Sequence, residues 1–254
     1  MRKPLIILAK LVLALLSIAG MGLLMAEGWL VWHYEYSIGL PNESELAALP
    51  SSDHVCSTTG NGAFVPLAEI PPLIRRAVVA FEDPDFYERP AVGPLPQLAL
   101  AVVSTRKPWS NITVAVTRNC LKALSPQCCM GIDSHIGNVI FMGRVEHALP
   151  PDRVLEIYLN DTYFGRNAYG VASAADAYFG KPLAELDIHE IAFVMTRGRS
   201  PYPQRSFDTT FRDLAIDRML NGGVISEAQA IEARSRPLLL KERLTDVQST
   251  PVNQ

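Results

Sequence analysis

From Pro4 to Ala26 nearly every residue is apolar, Lys10 being the one charge, and about twenty such residues are what a helix needs to cross a bilayer. The run predicts a retained membrane anchor at the N-terminus. Arg2 and Lys3 precede it. The preference of positive flanks for the cytoplasm then puts everything after Trp32 on the far side. Lys10 lies near enough to the cytoplasmic end to lift its ammonium to the interface. Trp29, Trp32, Tyr34 and Tyr36 follow the span as interfacial aromatics, and Glu27 marks its outer end. A cleaved signal peptide is the alternative, but the run exceeds a usual signal core and no clear Ala-x-Ala site follows.

Beyond the anchor the chain is globular: 254 residues with 48% hydrophobic content suffice for a sizeable core. A net charge of -3 from well-mixed acids and bases gives no footprint for nucleic acid, which needs a basic patch or stripe. Cys56, Cys120, Cys128 and Cys129 form no Cys-x-x-Cys pair, and no His stands at zinc-ligand spacing. Buried free thiols are the default expectation, with a disulfide from Cys56 to one of the later three as the alternative outside the cytoplasm. Asn111-Ile112-Thr113 matches a glycosylation acceptor, a triplet that arises often by chance.

Residues 37–65, with Pro41, Pro50, Ser51-Ser52-Asp53 and Gly60-Asn61-Gly62, read as a polar connector with little regular structure. The folded domain is expected over 66–240, after an anchor over 1–36, and a flexible tail over 241–254. Pro71 and Pro72 suit a first helical turn, and Leu73, Ile74, Ala77, Val78 and Phe81 recur on one face of a helix that ends at Pro84 or just before. Amphipathic segments follow at 93–105, 111–124, 135–148, 152–160, 184–196 and 209–221, and Ser226 with Gln229 forms a capping box for a last helix. Strand alternation is scarce, so the fold class is mainly α.

At the end of the first helix stands Glu82-Asp83-Pro84-Asp85-Phe86-Tyr87-Glu88. A glutamate there faces the negative end of the helix dipole, which disfavours its ionised form and suits it to general-base work. Composition alone favours a solvated acidic turn. Phe81 to Pro90, however, resembles the first signature of the peptidoglycan glycosyltransferases, Glu-Asp-x-x-Phe-x-x-His-x-Gly, with Arg89 and Ala91 where the family has His and Gly. Glu156-Ile157-Tyr158-Leu159-Asn160-Asp161-Thr162-Tyr163-Phe164-Gly165, continuing through Tyr169-Gly170 to Tyr178-Phe179-Gly180-Lys181, is similar to another family signature almost letter for letter. Read on its residues alone, this stretch is a helix, an Asn-containing turn and a Gly-bounded second helix with tyrosine anchors, and it supports a cleft rather than carrying a reaction.

The resemblance, of the monofunctional transglycosylase type, covers about residues 66–235. It implies a lysozyme-like, mainly α-helical glycosyltransferase domain behind one transmembrane helix. The family polymerises lipid-linked disaccharide-pentapeptide (lipid II). A sugar hydroxyl attacks the anomeric carbon of the growing glycan and expels a polyprenyl pyrophosphate with inversion, so the site needs a base and cations for the leaving group. By resemblance Glu82 is that base and Asp83 organises the site, while Phe86, Ser110, Thr113, Arg118, Asn119 and Asn138 bind substrate. Ser110 to Asn119 lines up with Gly-Gly-Ser-Thr-Ile-Thr-Gln-Gln and its Lys-Asn: Arg118 replaces the lysine and keeps a charged fork for phosphate, Val114 and Ala115 replace the paired glutamines, and Pro108 and Trp109 the glycines. The family's Arg-Lys-x-x-Glu falls on Ser134-His135-Ile136-Gly137-Asn138, with Asp133, Arg144 and Glu146 nearby.

Two readings of activity follow: a working polymerase, or a weak or inactive homologue that binds lipid II or serves as a scaffold for cell-wall synthases. A lysozyme-like hydrolase is disfavoured because no second carboxylate is evident. The resemblance permits a divalent cation without demanding one, and no ligand set is evident. Expected partners are lipid II, the growing glycan strand, the membrane, and cell-wall synthases or transpeptidases, without nucleic acid. The expected location is a bacterial inner membrane, single-pass, with the C-terminal domain in the periplasm. A transpeptidase domain is not expected within this chain.

Overall fold

Thirty-one residues from Arg2 to Trp32 form one continuous helix, α1, and none of the apolar window within it is buried against the rest of the protein. In this computed structural model residues 2–57, 62–89, 110–126, 131–199 and 209–241 are described. The expected helix at 93–105, Pro108, Trp109, Cys128, Cys129 and nearly all of the tail lie outside them. Leu13, Leu15, Leu16, Ile18, Leu23 and Leu24 point outward from α1 and are more than half exposed. An apolar helix surface exposed over so many residues is what a membrane span requires of its surroundings.

The anchor does not end in a loose tether. A π-helical turn, His33–Ser37, continues it, and Tyr34 is 1% exposed within the core of the domain. Residues 37–65, expected to lack regular structure, contain the short helix α2, Glu43–Ala47, closed by a reciprocal Asn42 and Glu45 capping box. Leu40, Leu46 and Cys56 from this stretch are buried in the same core. Arg144 donates to the carbonyls of Leu40 and Pro41 and pairs with Glu35 at 3.6 Å. Connector and anchor end are therefore packed parts of the fold.

The remaining helices are α3 (Pro72–Glu82), α4 (Asn111–Leu124), α5 (Gly131–Ala148), α6 (Pro151–Asp161), α7 (Val171–Phe179), α8 (Ile188–Arg199), α9 (Thr209–Asn221) and α10 (Glu227–Ser235). The only pairing of extended residues among those described is an isolated bridge, Tyr163 to Tyr169. α8 is the centre: Ile191, Ala192, Phe193, Val194 and Met195 are all buried in succession, so every face of it meets protein. α3, α7, α9 and α10 pack around it, while α4, α5 and α6 form a second group. α8 starts later than the 184 expected, because Leu183–Glu185 forms a separate 3₁₀ turn and Glu190 folds back onto the Asp187 amide to cap the helix there. The capping box of α10, between Ser226 and Gln229, is formed as its residues predict.

The end of α6 fastens the connector to this core. Asn160 accepts from the Val65 amide at 2.8 Å and donates to the Val65 carbonyl at 2.9 Å, a side chain pairing with an extended backbone as a strand would. Glu156 accepts from the Leu67 amide. Asp161, 2% exposed, accepts from the amides of Val55 and Cys56 and from Nδ1 of His54 at 2.7 Å. Gly170 passes so close that a Cβ on it would lie 2.6 Å from the Asn160 carbonyl oxygen, which fixes glycine there.

Cys56 and Cys120 are not the free thiols that composition suggested. They form a disulfide joining the connector to α4 across 64 residues, because Asp161 holds the Cys56 backbone against that helix. Breaking it with Cys56→Ser and Cys120→Ser together is expected to lower stability by about 2–4 kcal/mol. Denaturant unfolding of oxidised wild type against the double variant measures this, and an unchanged midpoint would count against it.

His54 gives a pH signature. Burial alone would lower its pKa, but the Asp161 hydrogen bond, the Gly62 carbonyl on Nε2 and the charges of Asp161 and Asp53 outweigh burial and raise it above 6.5. A group whose folded pKa is raised contributes its full stability below its unfolded pKa and loses it as pH rises through the folded value. The stability gap between wild type and His54→Gln should thus be widest below about pH 6.5 and narrow above it. Unfolding midpoints measured across that range would sink the idea if the gap widened with pH.

Candidate active site

α3 stops at Glu82, with Asp83 in extended conformation closing it, and the turn through Arg89 is held by Phe86 and Glu88 amides donating to the carbonyls of Asp83 and Asp85. Helix C-termini leave carbonyls unsatisfied, and here other helices supply the donors. Asn111, at the start of α4, donates to the Glu82 carbonyl at 2.7 Å. Arg218 of α9 donates to the Phe81 carbonyl at 2.5 Å and lays its guanidinium over the Phe81 ring, 4.8 Å from the centroid. A cation at this end also suits the helix dipole. The turn is clamped from two sides.

Glu82 is 6% exposed and Asp83 4%, far from the solvated acids that composition favoured. The Tyr158 hydroxyl of α6 reaches Glu82 Oε1 at 3.4 Å. Asp83 receives a fork from Arg89, Nε at 3.0 Å and Nη2 at 2.8 Å on its two oxygens. The residue standing where the family has histidine thus neutralises the neighbouring carboxylate. Arg89 itself is held charged first by that hydrogen bond, against partial burial, with Asp83, Asp85 and Glu146 adding negative potential.

Beside this pair, Phe86, Arg89, Ser110, Thr113 and Glu146 line a small cavity of about 120 Å³. The Ser110 hydroxyl is the N-cap of α4, accepting from the amides of Ile112 and Thr113. Arg118, exposed, shares a second cleft of about 350 Å³ with Val114, Thr117, His135 and Asn138. Asn119 belongs to neither: its amide donates to the Asp161 carbonyl at 3.4 Å. Of the eight residues singled out from sequence, five therefore gather at the end of α3 and the start of α4, two sit over the second cleft, and one ties α4 to α6. Arg144 is turned towards the connector, whereas Glu146 faces Arg89's cavity.

A divalent cation finds its closest set of ligands among the described residues elsewhere, where Asp187, His189 and Glu190 bring ligand atoms within 4.8 Å of one another. Glu190 already holds Lys181 and the Asp187 amide, and Asp187 pairs with Arg236. Burial lowers the His189 pKa, with Arg212 and Arg236 acting in the same direction. The set is accounted for as the charge-balanced cap of α8.

The sequence model of the family described as Transglycosylase matches residues 52–219. The chain belongs to that transglycosylase family. Penicillin-binding protein 1A of Rickettsia felis is 31% identical over 256 residues, covering 91% of this chain and 31% of that protein. Penicillin-binding protein 1A of Escherichia coli is 34% identical over 184 residues, covering 68% and 21%. A crystal structure of penicillin-binding protein 1A from Haemophilus influenzae aligns over 70% of this chain and 18% of that one, with a TM-score of 0.40 and 23% identity. This transglycosylase-family chain spans about a third of the length of the Rickettsia relatives it matches.

Three contacts of the site were not read from the sequence. Asn111 looked like part of a chance glycosylation triplet, Tyr158 like a packing anchor, and Arg218 lay unremarked in the 209–221 helix. Only the neighbourhood of Ser110-Asn111 to a matched family stretch hinted at the first. The Arg89 fork supplies a test. Arg89→Ala leaves the buried Asp83 carboxylate without its partner and is expected to destabilise the folded chain by roughly 1–3 kcal/mol, the penalty of an orphaned buried acceptor. Arg89→Lys should recover part of this, as a point charge without the fork. Urea unfolding decides it, and equal stability of Arg89→Ala and wild type would refute the pairing role.

Proposed function

We propose that the chain is a peptidoglycan glycosyltransferase that polymerises lipid-linked disaccharide-pentapeptide into glycan strands, with Glu82 as general base. The observation that carries this is the use of α4 as a ruler. Its Asn111 bonds the Glu82 carbonyl, and Arg118 stands on the same helical stripe seven residues on, about 10 Å further along the axis. A desolvated carboxylate at one end and an exposed, permanently charged guanidinium at the other match the two demands of the reaction. Glu82 takes the proton from the attacking sugar hydroxyl as the new glycosidic bond forms. The anomeric C–O bond to the pyrophosphate breaks, and Arg118 with Asn138 meets the charge that leaves.

Placement in a bacterial inner membrane with the domain in the periplasm is supported by Arg2 and Lys3 before the span and by the Cys56–Cys120 disulfide, which belongs to an oxidising compartment. Asp83, Phe86, Ser110 and Thr113 shape the acceptor side of the base. Asn119 positions α4 through Asp161. Transpeptidases that cross-link the strands are the partners the chemistry calls for.

The second reading, a weak or inactive homologue that binds lipid II, is favoured by the lining of the Arg118 cleft. Val114, Val139 and Met142 make it largely apolar, and Asn138 offers no charge. The test is polymerisation of fluorescent lipid-linked disaccharide by full-length protein in detergent, beside a family member with complete signatures. Wild type is expected to make polymer, and Glu82→Gln to make at least about a hundredfold less, the usual range for a lost base. No polymer from wild type, with activity gained on Val114→Gln plus Asn138→Glu, would replace the first reading with the second.

A further inference from the structure

A cavity of about 540 Å³ opens between α3 and the turn that closes α9. Helical spacing turns Arg75 and Arg76 of α3 towards it, Pro84 and Tyr87 of the Glu82 turn form one side, and Gly222 and Gly223 form another. The two glycines leave the α9 side of the space without side chains. A Cβ on Gly222 would lie 3.1 Å from Ala80 Cβ, while Gly223, at φ 65°, faces open volume.

Arg75 is half-buried and Arg76 exposed at its rim. Neither Arg75 nor Arg76 has a hydrogen-bond or ion-pair partner among the described residues, and Arg75 Nε is shielded from solvent without an acceptor. α3 has no acidic residue in its first turn, so these two cations near the positive end of its dipole have no acid on their own helix turn beside them. Asp152, which reaches the same corner, accepts from the Tyr87 hydroxyl at 2.9 Å instead. A shielded cationic N–H with no acceptor is unfavourable in the free chain, and an arriving oxyanion would satisfy it with a charge-assisted bond.

We infer that this cavity is an oxyanion subsite, taking a carboxylate or phosphate group on Arg75 and Arg76. The inference rests on the glycosyltransferase reading for what brings the group there. Arg75 precedes Glu82 by seven residues on the same stripe of α3, about 10 Å along the axis, so an extended substrate at Glu82 reaches both. With the pyrophosphate at Arg118, the groups left to fill the cavity are the carboxylates of the stem peptide.

The experiment uses the full-length protein in detergent and two probes. One is a soluble fluorescent disaccharide-pentapeptide without lipid or pyrophosphate, compared with its carboxyl-methylated form by anisotropy. The other is inorganic phosphate, compared with chloride at equal ionic strength by thermal unfolding. Wild type and Glu82→Gln are expected to bind the free acid about tenfold or more tighter than the ester. Arg75→Gln/Arg76→Gln should lose that difference, and Arg75→Lys/Arg76→Lys should keep most of it. The glutamine pair should unfold no earlier than wild type, since it removes two cations from the wrong end of a helix.

Arginine-dependent stabilisation by phosphate, with no preference for acid over ester, would support the subsite and assign it a phosphate-bearing ligand. The absence of arginine dependence with both probes overturns it. Because Glu82→Gln is expected to cut polymerisation while leaving this binding intact, failure here is distinguishable from failure of the glycosyltransferase reading.

Discussion

Side chains at the end of α6 stand in for a sheet, of which the described residues form none. Glu156, Asn160 and Asp161 bond the backbone of residues 55, 56, 65 and 67, so described backbone outside the α-helices is held as a strand would be. Each of these bonds is worth about 1 kcal/mol alone, but they share one anchor point. Asp161 aligns Cys56 for the disulfide, the disulfide holds α4, and α4 carries Asn111 to the Glu82 carbonyl. The Glu82 turn is thus positioned by a chain of contacts that begins at one carboxylate of α6.

The stretch that matches the family almost letter for letter is thereby largely committed to structure. Glu156, Asn160 and Asp161 are spent mainly on backbone amides, and Gly170 on close passage of the Asn160 carbonyl. What was legible in the sequence was periodic. The faces of α3, the span of α9, the Ser226 box and the apolar anchor all follow from spacing along one segment. What was not legible joins residues about a hundred positions apart, such as His54 with Asp161 or Arg144 with Leu40. No local pattern encodes which distant carbonyl a side chain will meet, and four cysteines do not state their pairing.

The site shows the same limit in its charges. Read as a string, Arg89 is a lost histidine; folded, it is the counter-ion of Asp83 and a wall of the cavity beside Ser110 and Thr113. Arg144 looks available to replace a missing cation, yet it is committed to Glu35 and to two connector carbonyls. A cation's number along the chain says little about the potential it creates, because burial and partner decide that. Substitution at one signature position and loss at another are therefore not independent events to be added up.

The seating of Tyr34 and Glu35 against the domain has a further meaning for how the molecule meets its surroundings. A globule hung on thirty loose residues would sweep a hemisphere above the bilayer and sample every orientation. Gripped within a few residues of the apolar helix, this one would hold a set height and a set tilt over any bilayer that the helix crossed. A molecule confined to the same layer as that helix would then meet the globule by a search in two dimensions, always from the same side and along a bearing that the helix sets.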